Sequence, residues 1–112
     1  MKSRPERASL TYYPTIRNLR DDTELGHLID LSPEGMKMLS EKPVKTDTYY
    51  HLSIDVRSDK GLSRELAVEA KSLWSKRDIN PDFYDTGFTF HNLTAAAHKI
   101  IARLMREYPF NG

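Results

Sequence analysis

The sequence contains no cysteine. Disulfides, thiolate zinc sites and thiol nucleophiles are therefore excluded. The chain also has no apolar run near the roughly 20 residues that a membrane-spanning helix needs. Its basic N-terminus, MKSRPERASL, is not followed by the apolar stretch of a secretory signal. We expect a cytoplasmic protein with no membrane insertion.

An excess of charge of one sign is also missing. Lys and Arg total 17 against 16 acidic residues, a formal charge of +1. Proteins that bind nucleic acid concentrate basic residues, because counterion release from phosphates supplies much of the affinity. The balance argues against a nucleic-acid partner. The local exception is the N-terminus, where Lys2, Arg4 and Arg7 lie close together; a solvated terminus is the simplest interpretation of that cluster.

The apolar residues alternate with polar ones over long stretches, in a chain of 112 residues that suits one domain. Period-two alternation is typical of half-buried antiparallel strands. In the fifth stretch, the parity that begins at Leu66 is expected to stay inward as far as Trp74. Turn-forming residues separate the stretches. We predict about six strands, in or near residues 10–16, 25–29, 36–40, 50–56, 66–74 and 84–90.

After Asn92 the spacing of apolar residues changes to that of a helix. Asn92 or Thr94 can cap the start of this helix, and Pro109 ends it. A curved sheet leaves an apolar opening, so we expect the helix to cover it; an oligomer interface is the alternative for its apolar stripe. That stripe consists of Ile100, Ile101, Leu104, Met105 and Tyr108.

Many short strands followed by one helix predict an all-β fold, a six-stranded antiparallel β-barrel with a C-terminal α-helix. We predict a single domain over residues 1–112. Within it, residues 1–9 would form a flexible arginine-containing arm, 10–91 the barrel and 93–108 the helix.

No catalytic or metal-binding pattern is present in the sequence. The four histidines have no metal-ligand spacing. Ser32 lacks the glycine two positions earlier that a nucleophile elbow requires, since that position is Asp30. There is no Gly-rich phosphate loop. We expect neither an enzyme nor a bound metal or cofactor.

The stretch Ser32-Pro33-Glu34-Gly35 fits a type I turn, with Pro at the second position and Gly at the fourth. The turn explains Ser32 and Gly35 but does not require Asp30. A carboxylate and a hydroxyl two residues apart lie on the same side of a strand. Asp30 and Ser32 can therefore accept and donate hydrogen bonds in one direction.

This segment resembles a known family. Asp30–Gly35, DLSPEG, is similar to the D/N-x-S-x-x-G motif of PilZ domains, bacterial receptors for cyclic di-GMP. The resemblance extends over nearly the whole chain: arginines at the start, then the motif, then Trp74 on a later strand. Gly87-Phe88-Thr89-Phe90 looks like the family's G-x-x-F segment, and a closing helix follows. The resemblance implies a PilZ-like barrel that binds cyclic di-GMP and relays its presence to an unidentified protein partner.

The resemblance also implies which residues bind the ligand, namely Arg4, Arg7, Asp30, Ser32 and Gly35. Arginine can bond a guanine or a phosphate bidentately. Asp30 can accept from the N–H edge of guanine, and Ser32 can add a hydroxyl contact. Gly35 lets the backbone approach the ligand or take a positive φ.

The arginine spacing departs from the family pattern. The family has R-x-x-x-R, whereas this chain reads Arg4-Pro5-Glu6-Arg7. If Arg7 takes the second place, the first is Ser3; if Arg4 takes the first, the second is Ala8. The alternative function is therefore a degenerate PilZ domain that acts as a protein-interaction module without nucleotide binding.

A nucleic-acid-binding barrel of another family is the second alternative. It requires aromatic and basic residues on one exposed face. Most aromatic residues here share the inward parity, which argues against it.

Overall fold

The computed structural model describes residues 13–57 and 63–107. The predicted arm, the start of the first predicted strand and Tyr108 lie outside these residues. In the described chain, no helix is both long and apolar enough to cross a bilayer. The strands are β1 (Thr15–Asn18), β2 (Thr23–Leu31), β3 (Gly35–Ser40), β4 (Tyr49–Arg57), β5 (Ser63–Arg77) and β6 (Tyr84–His91), and the helix is α1 (Ala95–Glu107).

The six strands form a closed barrel in the order β1-β2-β3-β6-β5-β4, with every neighbouring pair antiparallel. Pairing between β1 and β4 closes it, which removes the exposed sheet edges of an open sheet. The predicted fold class, a six-stranded antiparallel barrel with a C-terminal helix, is confirmed.

The core lies inside the barrel and is covered by α1. Alternate residues of the strands point inward and are buried. Helix α1 adds Ala97, Ile101 and Leu104 to the same cluster. The expected packing of this helix against the barrel core is confirmed. The strand side chains in the cluster are Ile16, Leu28, Leu31, Met36, Met38, Leu52, Ile54, Leu66, Val68, Ala70 and Phe88.

Thr94 is the residue that caps α1. Its Oγ1 accepts a hydrogen bond from the amide of Ala97 at 3.0 Å, and its carbonyl accepts from His98 at 3.0 Å. Asn92, the other predicted cap, instead takes a left-handed backbone with φ of 53°. Asn tolerates that conformation better than most residues, so it turns the chain from β6 into the helix.

A bulge in β5 turns Trp74 to the outside of the barrel. The pairing with β6 shifts between Ser72, which is opposite Phe88, and Trp74, which is opposite Gly87. A bulge places two residues of one strand against one of its partner and so reverses the later parity. The predicted inward position of Trp74 is therefore wrong. Because the extra residue, Leu73, is itself apolar, the sequence pattern does not reveal the bulge.

The second half of β5 holds the connection between β3 and β4. Beyond Lys71 this half is no longer paired with β4. Ser72 Oγ instead donates to the carbonyl of Lys45 at 2.7 Å and accepts from the amide of Thr48 at 3.2 Å. The amide of Val44 donates to Ser75 Oγ at 3.2 Å. Serine side chains thus fix a loop that has no strand of its own.

Candidate ligand-binding site on the outer face of the barrel

Strand pairing places four residues in one row on the outer face: Asp30 (β2), Lys37 (β3), Gly87 (β6) and Trp74 (β5). A second bulge, between Leu28 and Asp30, sets Asp30 opposite Lys37. Neighbouring strands are about 4.8 Å apart, so the row spans about 14 Å. A carboxylate, an ammonium group and an indole therefore share one face.

The turn between β2 and β3 lies at the end of this face. The amide of Ser32 donates to the carbonyl of Gly35 at 2.9 Å. The amide of Gly35 donates to Ser32 Oγ at 3.1 Å, and this hydroxyl lies 3.2 Å from the Gly35 carbonyl, to which it donates. A tight connection between β2 and β3 is present and is closed by the Ser32 side chain, while its type I geometry stays a prediction. A hydroxyl has two lone pairs, so Ser32 can still accept one bond from a ligand.

The carboxylate of Asp30 is held by the chain itself. One of its oxygens, Oδ1, accepts from the amide of Leu31 at 2.9 Å, and the residue is half-buried. An ionised carboxylate has two oxygens and about four lone-pair sites. Asp30 is therefore oriented by the backbone and keeps the capacity to accept bonds from a ligand.

Gly35 is required by the approach of β6. A Cβ at this position would collide with the carbonyl oxygen of Phe88. Its φ is not in the left-handed range, so the positive φ that we considered is wrong. The turn is also anchored to β6, because the carbonyl of Glu34 accepts from the amide of Phe90 at 2.8 Å. A contact between Gly35 and a ligand stays a prediction.

Trp74 lies across Gly87. A Cβ added at Gly87 would lie 2.5–2.7 Å from three atoms of the indole, so only glycine leaves room for the ring in this position. The tryptophan remains 40% exposed, and the ammonium of Lys76 lies 5.2 Å from its ring centroid. Leu73 beside it is 53% exposed. This part of the face offers an aromatic surface on which a planar ligand can stack.

These groups line an open cleft of about 410 Å³. Of the predicted site residues, the structure brings together Asp30, Ser32 and Gly35, while Arg4 and Arg7 lie outside the described residues. In the described part of the chain, no cluster of His, Asp and Glu side chains could hold a metal ion.

Three polar residues that were not predicted as site residues also line the cleft, namely Glu34, Lys37 and Thr89. The alternation of Lys37 with Met36 and Met38 is a signal that it points outward. Its neighbours in the row could not be read from the sequence, because they depend on the bulge between Leu28 and Asp30.

The comparison with family models gives a match to the PilZ domain over residues 3–107. Among solved structures, the Bacillus subtilis inhibitor of motility MotI/DgrA aligns with a TM-score of 0.68 at 10% identity. That alignment covers 86% of this chain and 48% of MotI/DgrA, so the chain spans about half the length of that protein.

The PilZ domain of YcgR from Escherichia coli, solved with c-di-GMP, aligns with a TM-score of 0.62 at 18% identity, covering 83% of this chain and 79% of that one. Identities this low show a shared fold alone. The comparison with curated proteins gives no match. Because the family model covers nearly the whole sequence and the barrel with its helix matches the solved folds, the chain belongs to the PilZ domain family.

Proposed function

We propose that this domain is a receptor for cyclic di-GMP and binds it in the cleft between the β2–β3 turn and Trp74. The observation that carries the proposal is the row from Asp30 to Trp74, with the Ser32 hydroxyl at the adjacent turn. The family relationship supports it, since a similar PilZ domain has been solved with c-di-GMP.

The chemistry of guanine suits this face. A guanine has two flat π surfaces and an edge with N–H donors. The exposed indole of Trp74 can stack on the flat surface, an interaction worth about 1–3 kcal/mol per base. Asp30 can accept from the N–H edge, and its carboxylate is already oriented by the amide of Leu31. Both recognition elements of the base are thus met by groups that the barrel fixes in place.

The phosphates of the ligand require cations, and we propose that Arg4 and Arg7 supply them from the N-terminal arm. A guanidinium can bond a phosphate through two parallel N–H groups. Ordering of the arm over the ligand would change the surface available to a protein partner. All of these groups act by stacking, hydrogen bonding or charge, so the proposed role is that of a cytoplasmic receptor and not an enzyme.

A second function is favoured by two observations. The arginines of this chain are one residue closer together than in the family motif, and Leu73 and Trp74 expose apolar surface on the same face. Exposed aromatic residues are enriched in protein interfaces. A protein-interaction module without nucleotide binding is therefore the alternative.

Calorimetric titration of the full chain with cyclic di-GMP distinguishes the two functions. We expect saturable binding, accompanied by a change in fluorescence of Trp74, the one tryptophan of the sequence. Asp30→Ala should weaken binding roughly tenfold or more, because a charged hydrogen bond is lost. The matched control is Asp82→Ala, which removes an exposed carboxylate at the β5–β6 turn and should leave binding unchanged. Absence of heat and of any fluorescence change would contradict the receptor function and favour the interaction module.

A further inference from the structure

Lys37 is the one basic residue among the described residues that line the cleft. The other charged residues there are Asp30 and Glu34, so the described lining carries one positive and two negative charges. A ligand with two phosphates brings two further negative charges. Because charges at short range in a partly buried cleft interact more strongly than in water, a cation in this lining has a large effect on an anionic ligand.

The ammonium of Lys37 is not engaged in an ion pair with any described carboxylate. Asp30 is its neighbour across the β2–β3 pairing, yet Asp30 directs Oδ1 to the amide of Leu31. Lys71 on β5, by contrast, does form an ion pair. Its ammonium lies 3.1 Å from Asp47, and this hydrogen bond raises the pKa of Lys71. Lys37 is thus a half-buried cation that forms no ion pair with a described residue.

The position of Lys37 in the row determines what it can touch. It lies one strand from Asp30 and two strands from Trp74, whose indole lies over Gly87, the residue paired with Lys37. Because Lys37 lies between Asp30 and Gly87 in the row, a ligand that extends from the indole to Asp30 must pass over Lys37. Lysine is a compact point charge with three donors, which suits an oxyanion that approaches from any direction.

We propose that Lys37 donates to a phosphodiester oxygen of the bound dinucleotide and is the phosphate-binding cation that the barrel itself provides. This inference rests on the proposed function. The barrel fixes this cation on β3, so its contribution does not depend on the spacing of the arginines in the arm.

The test compares the wild-type chain with Lys37→Gln, Lys37→Arg and the control Lys99→Gln, which removes an exposed ammonium from α1. Cyclic di-GMP is titrated calorimetrically at low and high salt, and phosphorus NMR spectra of the bound ligand are recorded. We expect Lys37→Gln to bind roughly tenfold or more weakly, while Lys37→Arg stays within about threefold of the wild type. The difference should shrink at high salt, where charges are screened. A bound phosphorus resonance should move in both Lys37 variants, and Lys99→Gln should behave as the wild type.

Wild-type affinity in Lys37→Gln, or an equal loss in Lys99→Gln, overturns the inference and leaves the receptor function intact. Weakened binding with an unchanged phosphorus spectrum would also overturn it, because Lys37 would then contact a base. If Lys37→Gln does not fold, the phosphorus shift of Lys37→Arg decides the question. Failure of the wild type to bind contradicts the receptor function and removes this inference with it.

Discussion

At the scale of single residues, serine hydroxyls hold two connections of the barrel. Ser32 Oγ closes the β2–β3 turn at the edge of the cleft, and Ser72 Oγ fixes the connection between β3 and β4. A serine at an inward strand position interrupts the apolar alternation, so the sequence alone gives Ser72 no structural role. Its role depends on partners about 25 residues away in the chain, which no local pattern shows.

Removal of the hydroxyl should affect the free energy of unfolding differently at two buried serines, Ser72 and Ser53. Ser72 is 0% exposed, and its hydroxyl bonds the Lys45 carbonyl and the Thr48 amide of the loop. Because Ser72→Ala removes both hydrogen bonds, it should lower the free energy of unfolding by about 1–3 kcal/mol. Ser53 is 2% exposed and its Oγ has no hydrogen-bond partner in the described chain. Ser53→Ala should leave stability unchanged or raise it. Urea denaturation measures both, and a larger loss in Ser53→Ala than in Ser72→Ala would contradict the hydrogen-bond assignment.

At the scale of elements, bulges decide which residues reach the cleft. The six strands and the helix follow from apolar periods of two and of about 3.6, and both periods could be recognised in the sequence. The bulge before Trp74 could not, because the inserted residue Leu73 has the same apolar character as its neighbours. The sequence could identify Asp30 and Ser32 as candidate site residues because both belong to one short motif. The position of Trp74 beside Gly87 was missed because it depends on the register of two strands.

The packing of Trp74 on Gly87 can be tested by one methyl group. In Gly87→Ala the new Cβ occupies space within 2.5–2.7 Å of the indole, so the exposed ring must swing away from β6. Gly87 does not have a left-handed φ, so alanine suits its backbone and the fold should persist. We expect a shift in tryptophan emission and binding of cyclic di-GMP weakened several-fold, with little change in the urea midpoint. Unchanged emission together with unchanged affinity would show that the indole does not use the space over Gly87.

At the scale of the whole molecule, the closed barrel presents an outer face while α1 adds buried residues to the core. The cleft groups come from β2, β3, β5 and β6, so their separations are set by strand pairing. Helix α1 contributes to the core and not to the lining of the cleft. Helix α1 thus serves the core, whereas the proposed ligand-binding groups lie on the strands.

This division predicts different effects for two neighbouring residues of α1. Leu104 is 0% exposed within the core, so Leu104→Ala should lower the free energy of unfolding by about 2–5 kcal/mol. Met105 is 40% exposed, and Met105→Ala should cost less than about 1 kcal/mol. Urea denaturation with sedimentation analysis checks both. A larger loss in Met105→Ala, accompanied by dissociation of an oligomer, would instead support the interface alternative for the helical stripe.

The most direct test of the central claim is to map amide resonances by NMR during titration of the full chain with cyclic di-GMP. Binding in the outer cleft predicts the largest shifts at the β2–β3 turn, at Lys37, around Trp74 and along 87–89, together with the Trp74 indole resonance. The amide resonances of α1 should change little, because the helix packs on the core and does not line the cleft. Shifts concentrated on α1, or no shifts at saturating ligand, would contradict the account.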